Sequence, residues 1–141
     1  MTWRDTIRVK YHECDMQNVV FNANYWVYAD DLVAQWMRHA IASANGSDSP
    51  AGNVFANEFD FMLKRAEGTW HKGATYGDTI DAHCGISRWG NTSFDVAISL
   101  LVGGDPCFDA VITYVSVTPG TNSPCPVPDK IKVALDRDPA N

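Results

Sequence analysis

From Thr6 to His12 apolar and polar residues alternate. Ile7, Val9 and Tyr11 fall on one side, Arg8, Lys10 and His12 on the other, the period of a half-buried strand. The segment from His12 to Asn22 has no period. Asn18 stands there as a candidate for a left-handed backbone, which Asn adopts more readily than most non-glycine residues. From Ala23 to about Ser43 neither Gly nor Pro occurs, and Trp26, Ala29, Val33, Trp36 and Met37 recur at helical spacing. Val27, Ala34, Ala40 and Ile41 widen the apolar surface, so this helix is expected to be embraced by other structure. Asn22 or Asn24 is the expected N-cap and Asn45-Gly46 the stop signal. Ser47 to Gly52, with Pro50, reads as a loop.

The remainder is β-rich. Phe55, Asn57, Phe59, Phe61 and Leu63 share one strand face against Glu58, Asp60, Met62 and Lys64. Gly73 to Asp78 reads as a turn. Ile80, Ala82, Cys84 and Ile86 alternate with Asp81, His83 and Ser87; Gly90-Asn91 marks a hairpin. Phe94, Val96, Ile98, Leu100 and Val102 then alternate with Ser93, Asp95 and Ser99. Gly103 to Pro106 marks a further turn, and Phe108 to Val117 reads as a strand inside the sheet. Asp129 to about Leu135 predicts a short amphipathic helix after Pro124-Cys125-Pro126-Val127-Pro128. The order, one strand, a long helix, then antiparallel strands, predicts an α+β domain with the helix on one face of the sheet. Such a sheet keeps a long edge, so pairing of two chains is expected.

At 141 residues the chain fits one domain, 1–141. A net charge of −6 argues against non-specific nucleic-acid binding, because no basic field is available to displace counterions. No apolar run reaches the ~18–20 residues of a membrane span. Met1 to Asp5 lacks the charged-then-apolar order of a signal peptide. Cys14, Cys84, Cys107 and Cys125 form no CxxC or zinc spacing, so free thiols and a cytoplasmic location are expected. Asp81 and His83 share a strand face, but two residues do not make a metal site. None of His12, His39, His71 and His83 shows a triad partner.

The stretch from His12 to Trp26 carries the candidate chemistry. Asp15 precedes an apolar step and an Asn-bracketed helix start, which sets a carboxylate beside the positive end of a helix dipole. A carboxylate there is a cap or turn residue, or a nucleophile or base. Glu13 reads as solvent-facing. Asp30 and Asp31 interrupt the apolar helix, as exposed residues or as readers of a polar substituent.

Asp15-Met16-Gln17-Asn18-Val19-Val20-Phe21-Asn22-Ala23-Asn24-Tyr25 resembles the signature of the 4-hydroxybenzoyl-CoA thioesterase family of hotdog-fold acyl-CoA thioesterases. Gly77-Asp78 is similar to that family's Gly-Asp turn, Asn91-Thr92-Ser93-Phe94 to its polar-Ser strand start, and Pro126 to Ile131 to its Pro-x-Pro helix opening. The sequence departs from the pattern with Asn18 for a Gly, Asn22 for a His, and Val27 or Val33 for a basic residue. The resemblance implies a hotdog fold, a long central helix wrapped by an antiparallel sheet of about five strands. It implies a homodimer or homotetramer that hydrolyses an acyl-coenzyme A, with CoA thioester as substrate and no cofactor or metal.

The same resemblance gives Asp15 the role of nucleophile or general base and Asn22 that of a polar orienting group. Backbone N–H groups near Asn22 to Asn24 would hold the oxyanion. Phe21, Asn24, Tyr25, Asp30 and Ser93 are the expected acyl contacts. Lys64, Arg65 and Arg88 are the expected CoA contacts, with Lys72 a further basic residue near a strand end. A non-catalytic acyl-CoA or acyl-carrier binding module, and a hotdog hydratase or dehydratase, are the alternatives. The latter usually needs an Asp/His pair, and the nearby His12 is expected to lie in a strand.

Overall fold

A computed structural model describes residues 3–46 and 59–137. Five strands form one antiparallel sheet: β1 (Trp3–Arg8), β2 (Asp60–Trp70), β3 (Thr79–Trp89), β4 (Ser93–Val102) and β5 (Asp105–Val117). Their order is β1-β3-β4-β5-β2, so β1 and β2 are the edges. Helix α1 (Asn24–Ala44) lies across the inner face, and the short α2 (Asp129–Asp136) packs against it. This is the hotdog architecture expected from the sequence, with the long helix as the filling. The expected Ser47–Gly52 loop, and Phe55, Asn57 and Glu58 of the expected second strand, lie outside the described residues.

The helix forms because twenty-one residues without Gly or Pro carry an apolar stripe at helical spacing. Tyr25, Tyr28, Ala29, Leu32, Val33, Trp36, Met37, Ala40 and Ile41 are buried. Val27 is 60% exposed, so the apolar surface is narrower at this end than the sequence pattern predicts. The helix ends as expected: Asn45 is the C-cap and Gly46 takes a φ of 75°. Its start differs. Ala23 occupies the N-cap position, and no side chain caps it. Two buried α2 residues, Ile131 and Leu135, close the far end, where Trp89 Nε1 donates to the Asp136 carboxylate at 3.1 and 3.2 Å.

The inner sheet face meets α1 with Ile80, Ala82, Cys84, Phe94, Val96, Ile98, Leu100, Phe108, Ala110 and Ile112, all buried. Burying each large member stabilises by roughly 1.5–3 kcal/mol. Among the described residues three bulges interrupt the ladders, one of them at Cys107 in β5, and those in β2 and β3 change which of their residues face the helix. Arg65 pairs Thr113 while Leu63 pairs Tyr114, so Lys64 is an extra residue in β2. Phe59 and Phe61 face inward before it, Gly68 and Trp70 after it, and Leu63 ends 53% exposed. An equivalent extra residue, Ser87, turns Trp89 inward in β3. The single unbroken alternation expected for the second strand therefore does not hold. That strand also runs on to Trp70.

The first strand ends early. Arg8 is its last residue, and Tyr11–Glu13 forms a 3-10 turn in which Glu13 N donates to Lys10 O at 3.0 Å. Val9 stays fully buried, held by Asp78 and Gly77 backbone, but Tyr11 is 81% exposed. His12 lies in this turn, not in a strand.

The end of β2 approaches α1 so closely that only glycine fits. A Cβ on Gly68 would lie 2.8 Å from Phe108 Cζ and 3.0 Å from Trp26 Cη2. Gly68→Ala is therefore expected to destabilise the fold by about 1–3 kcal/mol, as overpacking does. Urea denaturation reads this directly, and an unchanged midpoint would show that the strand and ring can part freely.

Candidate active site

Asp15 begins a tight turn closed by its own atoms. Asn18 N donates to Asp15 O at 3.0 Å, Asp15 N donates to Val19 O at 2.9 Å, and Gln17 N donates to Asp15 Oδ1 at 2.8 Å. The turn needs a left-handed residue, and Asn18 takes it with a φ of 64°. Asp15 Oδ2 accepts no bond from any described residue. One carboxylate oxygen thus fixes the turn and the other is left to the cleft.

Glu13 ties this loop to α1. Its backbone oxygen accepts from Phe21 N at 3.0 Å and from Asn24 Nδ2 at 2.9 Å. Its Oε1 accepts from Lys10 N at 2.7 Å and from the Tyr28 hydroxyl at 2.9 Å. The solvent-facing role expected for Glu13 is therefore corrected: the carboxylate is a structural acceptor. The Asn24 side chain, expected to cap the helix or meet substrate, is committed to the same residue. A second tie runs to the segment before β3. Val20 N donates to Ala74 O at 2.8 Å, Ala74 N donates to the Tyr25 hydroxyl at 3.0 Å, and Thr75 Oγ1 donates to Asn18 O at 2.8 Å.

Between these parts lies a cleft of about 210 Å³. Asp15, Asn22 and Tyr25 line it together, with Val20, Trp70 and Cys107 among its walls. The backbone N–H groups of Asn22, Ala23 and Tyr25 have no acceptor among the described residues. They stand at the start of α1, where the helix dipole adds partial positive charge. A carboxylate in a cleft beside a helix start with unpaired donors can attack a carbonyl, or activate water toward it, and such donors can hold the charge that develops on its oxygen.

Trp70 and Cys107 are cleft residues that the sequence pattern does not reveal. The alternation of the second strand is readable only to Lys64, and Trp70 enters the cleft because the bulge turns it inward. Its Nε1 donates to Asn22 O at 3.1 Å. Burial pushes the Cys107 thiol up, which keeps it protonated and poorly nucleophilic at neutral pH. His71 also borders the cleft, yet its Nε2 lies 2.8 Å from Asp109 Oδ2, and Asp109 is on the outward-facing set of β5. Lys72, beside it, pairs with Asp105 at 3.3 Å.

The other expected contacts do not reach this cleft within one chain. Phe21 adjoins it but is 47% exposed, and Asp30 is exposed on α1. Ser93 and Arg88 lie at the β3–β4 hairpin, the opposite end of the sheet from Asp15. There Arg88 donates from Nε and Nη2 to both Asp95 carboxylate oxygens and from Nη2 to Ser93 Oγ at 3.1 Å. The guanidinium holds the Asp95 carboxyl below its ordinary range. Arg65 pairs with Glu67 at 3.0 Å, and Lys64 is exposed at the β2 bulge. Among the described residues no His, Cys, Asp and Glu group of three or more is placed to hold a metal, and no helix is long and apolar enough to cross a membrane. All four cysteines are free.

A family model described as the thioesterase-like superfamily matches residues 9–135. No curated protein matches the sequence. Among solved structures, a predicted thioesterase from Bacillus stearothermophilus is 22% identical, covering 94% of this chain and 92% of that one at a TM-score of 0.76. The BH1999 gentisyl-coenzyme A thioesterase is 19% identical, covering 94% and 99%, also at 0.76. A thioesterase from Thermus thermophilus, complexed with coenzyme A and Zn, is 16% identical, covering 94% and 90% at 0.74. At these identities the likeness is one of fold.

The tie between the loop and α1 has a pH signature. Burial first, and then the bond to Glu13, push the Tyr28 phenol well above its ordinary value. Burial raises Tyr25 as well. The folded state therefore holds these protons more tightly than the unfolded chain. The stability they contribute is complete below about pH 10, the unfolded tyrosine value, and is lost as pH rises beyond it. Urea midpoints measured from pH 8 to 11 should fall at the alkaline end, and Tyr28→Phe should flatten that fall. An equal alkaline slope in the variant would remove Tyr28 from the account.

Proposed function

We propose that this chain, which belongs to the thioesterase-like superfamily, hydrolyses the thioester of an acyl-coenzyme A to the free acid and CoA. The observation that carries this reading is the Asp15 carboxylate, held by its own turn in a cleft that is also lined by Asn22 and Tyr25, whose backbone N–H groups at the start of α1 are unpaired among the described residues. The family membership supports the reaction class, and the resemblance to the 4-hydroxybenzoyl-CoA thioesterase signature supports the role given to Asp15.

In the nucleophilic route, Asp15 Oδ2 attacks the thioester carbon. The C–S bond breaks, the thiolate leaves and takes a proton, and water then opens the mixed anhydride and restores the carboxylate. In the general-base route, Asp15 takes a proton from water as water attacks the same carbon. In both, the negative carbonyl oxygen of the tetrahedral state is met by the N–H groups of Asn22, Ala23 or Tyr25. Losing one such donor typically costs roughly 10²–10³ in rate. Asn22, exposed at the cleft wall, orients the substrate carbonyl in the place where the family commonly has His.

Phe21 and Tyr25 border the acyl end, Asn24 serves it indirectly by holding the loop through Glu13, and Asp30 and Ser93 are more distant contacts. Lys64, Arg65 and Arg88 meet CoA phosphates. These assignments need a second chain. β2 is an edge strand of eleven residues with Met62 and Leu63 about half exposed, and pairing two such edges removes an open row of backbone groups. It also sets Lys64 and Arg65 at the seam between the two chains. The working unit is therefore a homodimer or a homotetramer built from it. The cytoplasm, where CoA thioesters are made and cysteines stay reduced, is the proposed location.

Asp15→Asn keeps an oxygen for Gln17 N and so keeps the turn. It is expected to lower thiol release from acyl-CoA by about 10²–10⁴, with an unchanged unfolding midpoint. Thiol detection over a panel of aromatic, short aliphatic and polar-substituted acyl-CoAs measures it. Equal rates in both proteins would refute the role of Asp15.

A further inference from the structure

Behind the cleft the space between α1 and the ends of β2 and β5 is filled by rings. Tyr25 stacks on Phe108 with centroids 5.4 Å apart and planes 29° apart. Trp26 meets Phe108 edge-on at 5.0 Å, and Trp70 meets both Phe108 at 5.3 Å and Trp26 at 6.2 Å. Phe108 is fully buried and Tyr25 nearly so. The backbone of Gly68 presses on the same rings so closely that not even a methyl group fits. These rings occupy the inner face of β2 from Gly68 to Trp70.

Trp70 is the outer member of this group. It is 47% exposed, lines the cleft, and is fixed by its bond to Asn22 O. The same side chain therefore borders the carbonyl site and blocks the path behind it. Within one chain the cleft offers about 210 Å³ of open volume. The thioester itself takes part of that room.

We infer that the ring wall closed by Trp70 restricts this protein to compact acyl groups and rejects long straight chains. This rests on the acyl-CoA hydrolase reading and names the substrate class for that site. The discrimination is steric. A hydrophobic site loses about tenfold or more for each methylene it cannot house, so several excluded methylenes multiply into a large factor.

The experiment compares butanoyl-, hexanoyl-, octanoyl- and dodecanoyl-CoA on wild type, Trp70→Ala and Trp70→Phe. Each pair is read twice, by thiol release and by quenching of tryptophan fluorescence on binding. Wild type should favour butanoyl- or hexanoyl-CoA over dodecanoyl-CoA by about 100-fold or more in kcat/KM. Trp70→Ala should narrow that ratio by about tenfold or more. Trp70→Phe loses the same N–H but keeps a ring, so it should keep most of the wild-type ratio. A wild type that prefers dodecanoyl-CoA, or an unchanged ratio in Trp70→Ala, overturns the inference. Binding of the compact thioesters with no thiol released would defeat the hydrolase reading while sustaining the size limit. Equal binding of all four chain lengths would overturn the size limit whether or not thiol is released.

Discussion

The site depends on how one residue, Glu13, fastens an irregular loop to the first turns of a helix. Its backbone oxygen takes two donors and its carboxylate two more, from Phe21, Asn24, Lys10 and Tyr28. The eleven residues from His12 to Asn22 have no regular ladder of their own, and their backbone groups need partners from elsewhere. Without that tether, the Asp15 turn would hang from the end of β1 and its distance to the helix start would not be set. Bonds to a charged acceptor are stronger than neutral ones, about 1.5–3 kcal/mol net against about 1. A carboxylate at the centre of the tether is therefore a better clamp than an amide would be. Ordering the groups at a reacting centre in advance is also what makes a carboxylate and a few N–H donors effective.

The two ends of the molecule divide the work. At one end the β3–β4 hairpin, α2 and the Arg88–Asp95 pair close the fold; Thr113 Oγ1 adds a third bond to Asp95 at 2.7 Å. At the other end the strands run into loops, α1 presents unpaired donors, and exposed rings such as Tyr11 and Tyr76 meet edge-on at 5.9 Å. A helix start must leave its first N–H groups without intrahelical partners. The hotdog arrangement puts that unavoidable deficit beside a loop that can carry a carboxylate. The candidate chemistry therefore sits where the helix is least satisfied.

Much of this was legible in the sequence because it follows from local rules. The α1 bounds, the Gly46 stop, the left-handed Asn18 and the alternation of β4 are each set by residues within a few positions. What failed to show was set by partners far along the chain. Lys64 becomes an extra residue only because β5 opposes it, and that shift alone decides that Trp70 faces inward and His71 outward. Glu13 looks like a surface carboxylate until Tyr28, fifteen residues later, turns its hydroxyl toward it. His12 alternates with its neighbours like a strand residue, but the bond from Lys10 N to Glu13 Oε1 turns the chain there instead. For the site, Asp15, Asn22 and Tyr25 could be read from one contiguous stretch and do share a cleft. Ser93 follows from motif order and Arg88 from its place as a basic residue near a strand end, and neither carries information about which end of the sheet the residue occupies.

That difference bears on what the cleft can recognise. A motif contiguous in sequence fixes the reacting atoms, because the turn, the carboxylate and the helix start move together. The walls come from β2 and β5, which contribute Trp70 and Cys107 through their own register and can change without disturbing the turn. Replacing a wall residue alters the space in the cleft while the Asp15 turn keeps all its bonds. Replacing Asn18 would do the reverse, since a β-branched residue there could not hold a φ of 64° and the carboxylate would lose its place. Under the proposed function, reaction class and substrate choice are therefore separable properties of this fold. The first is written in eleven consecutive residues, the second in strand register.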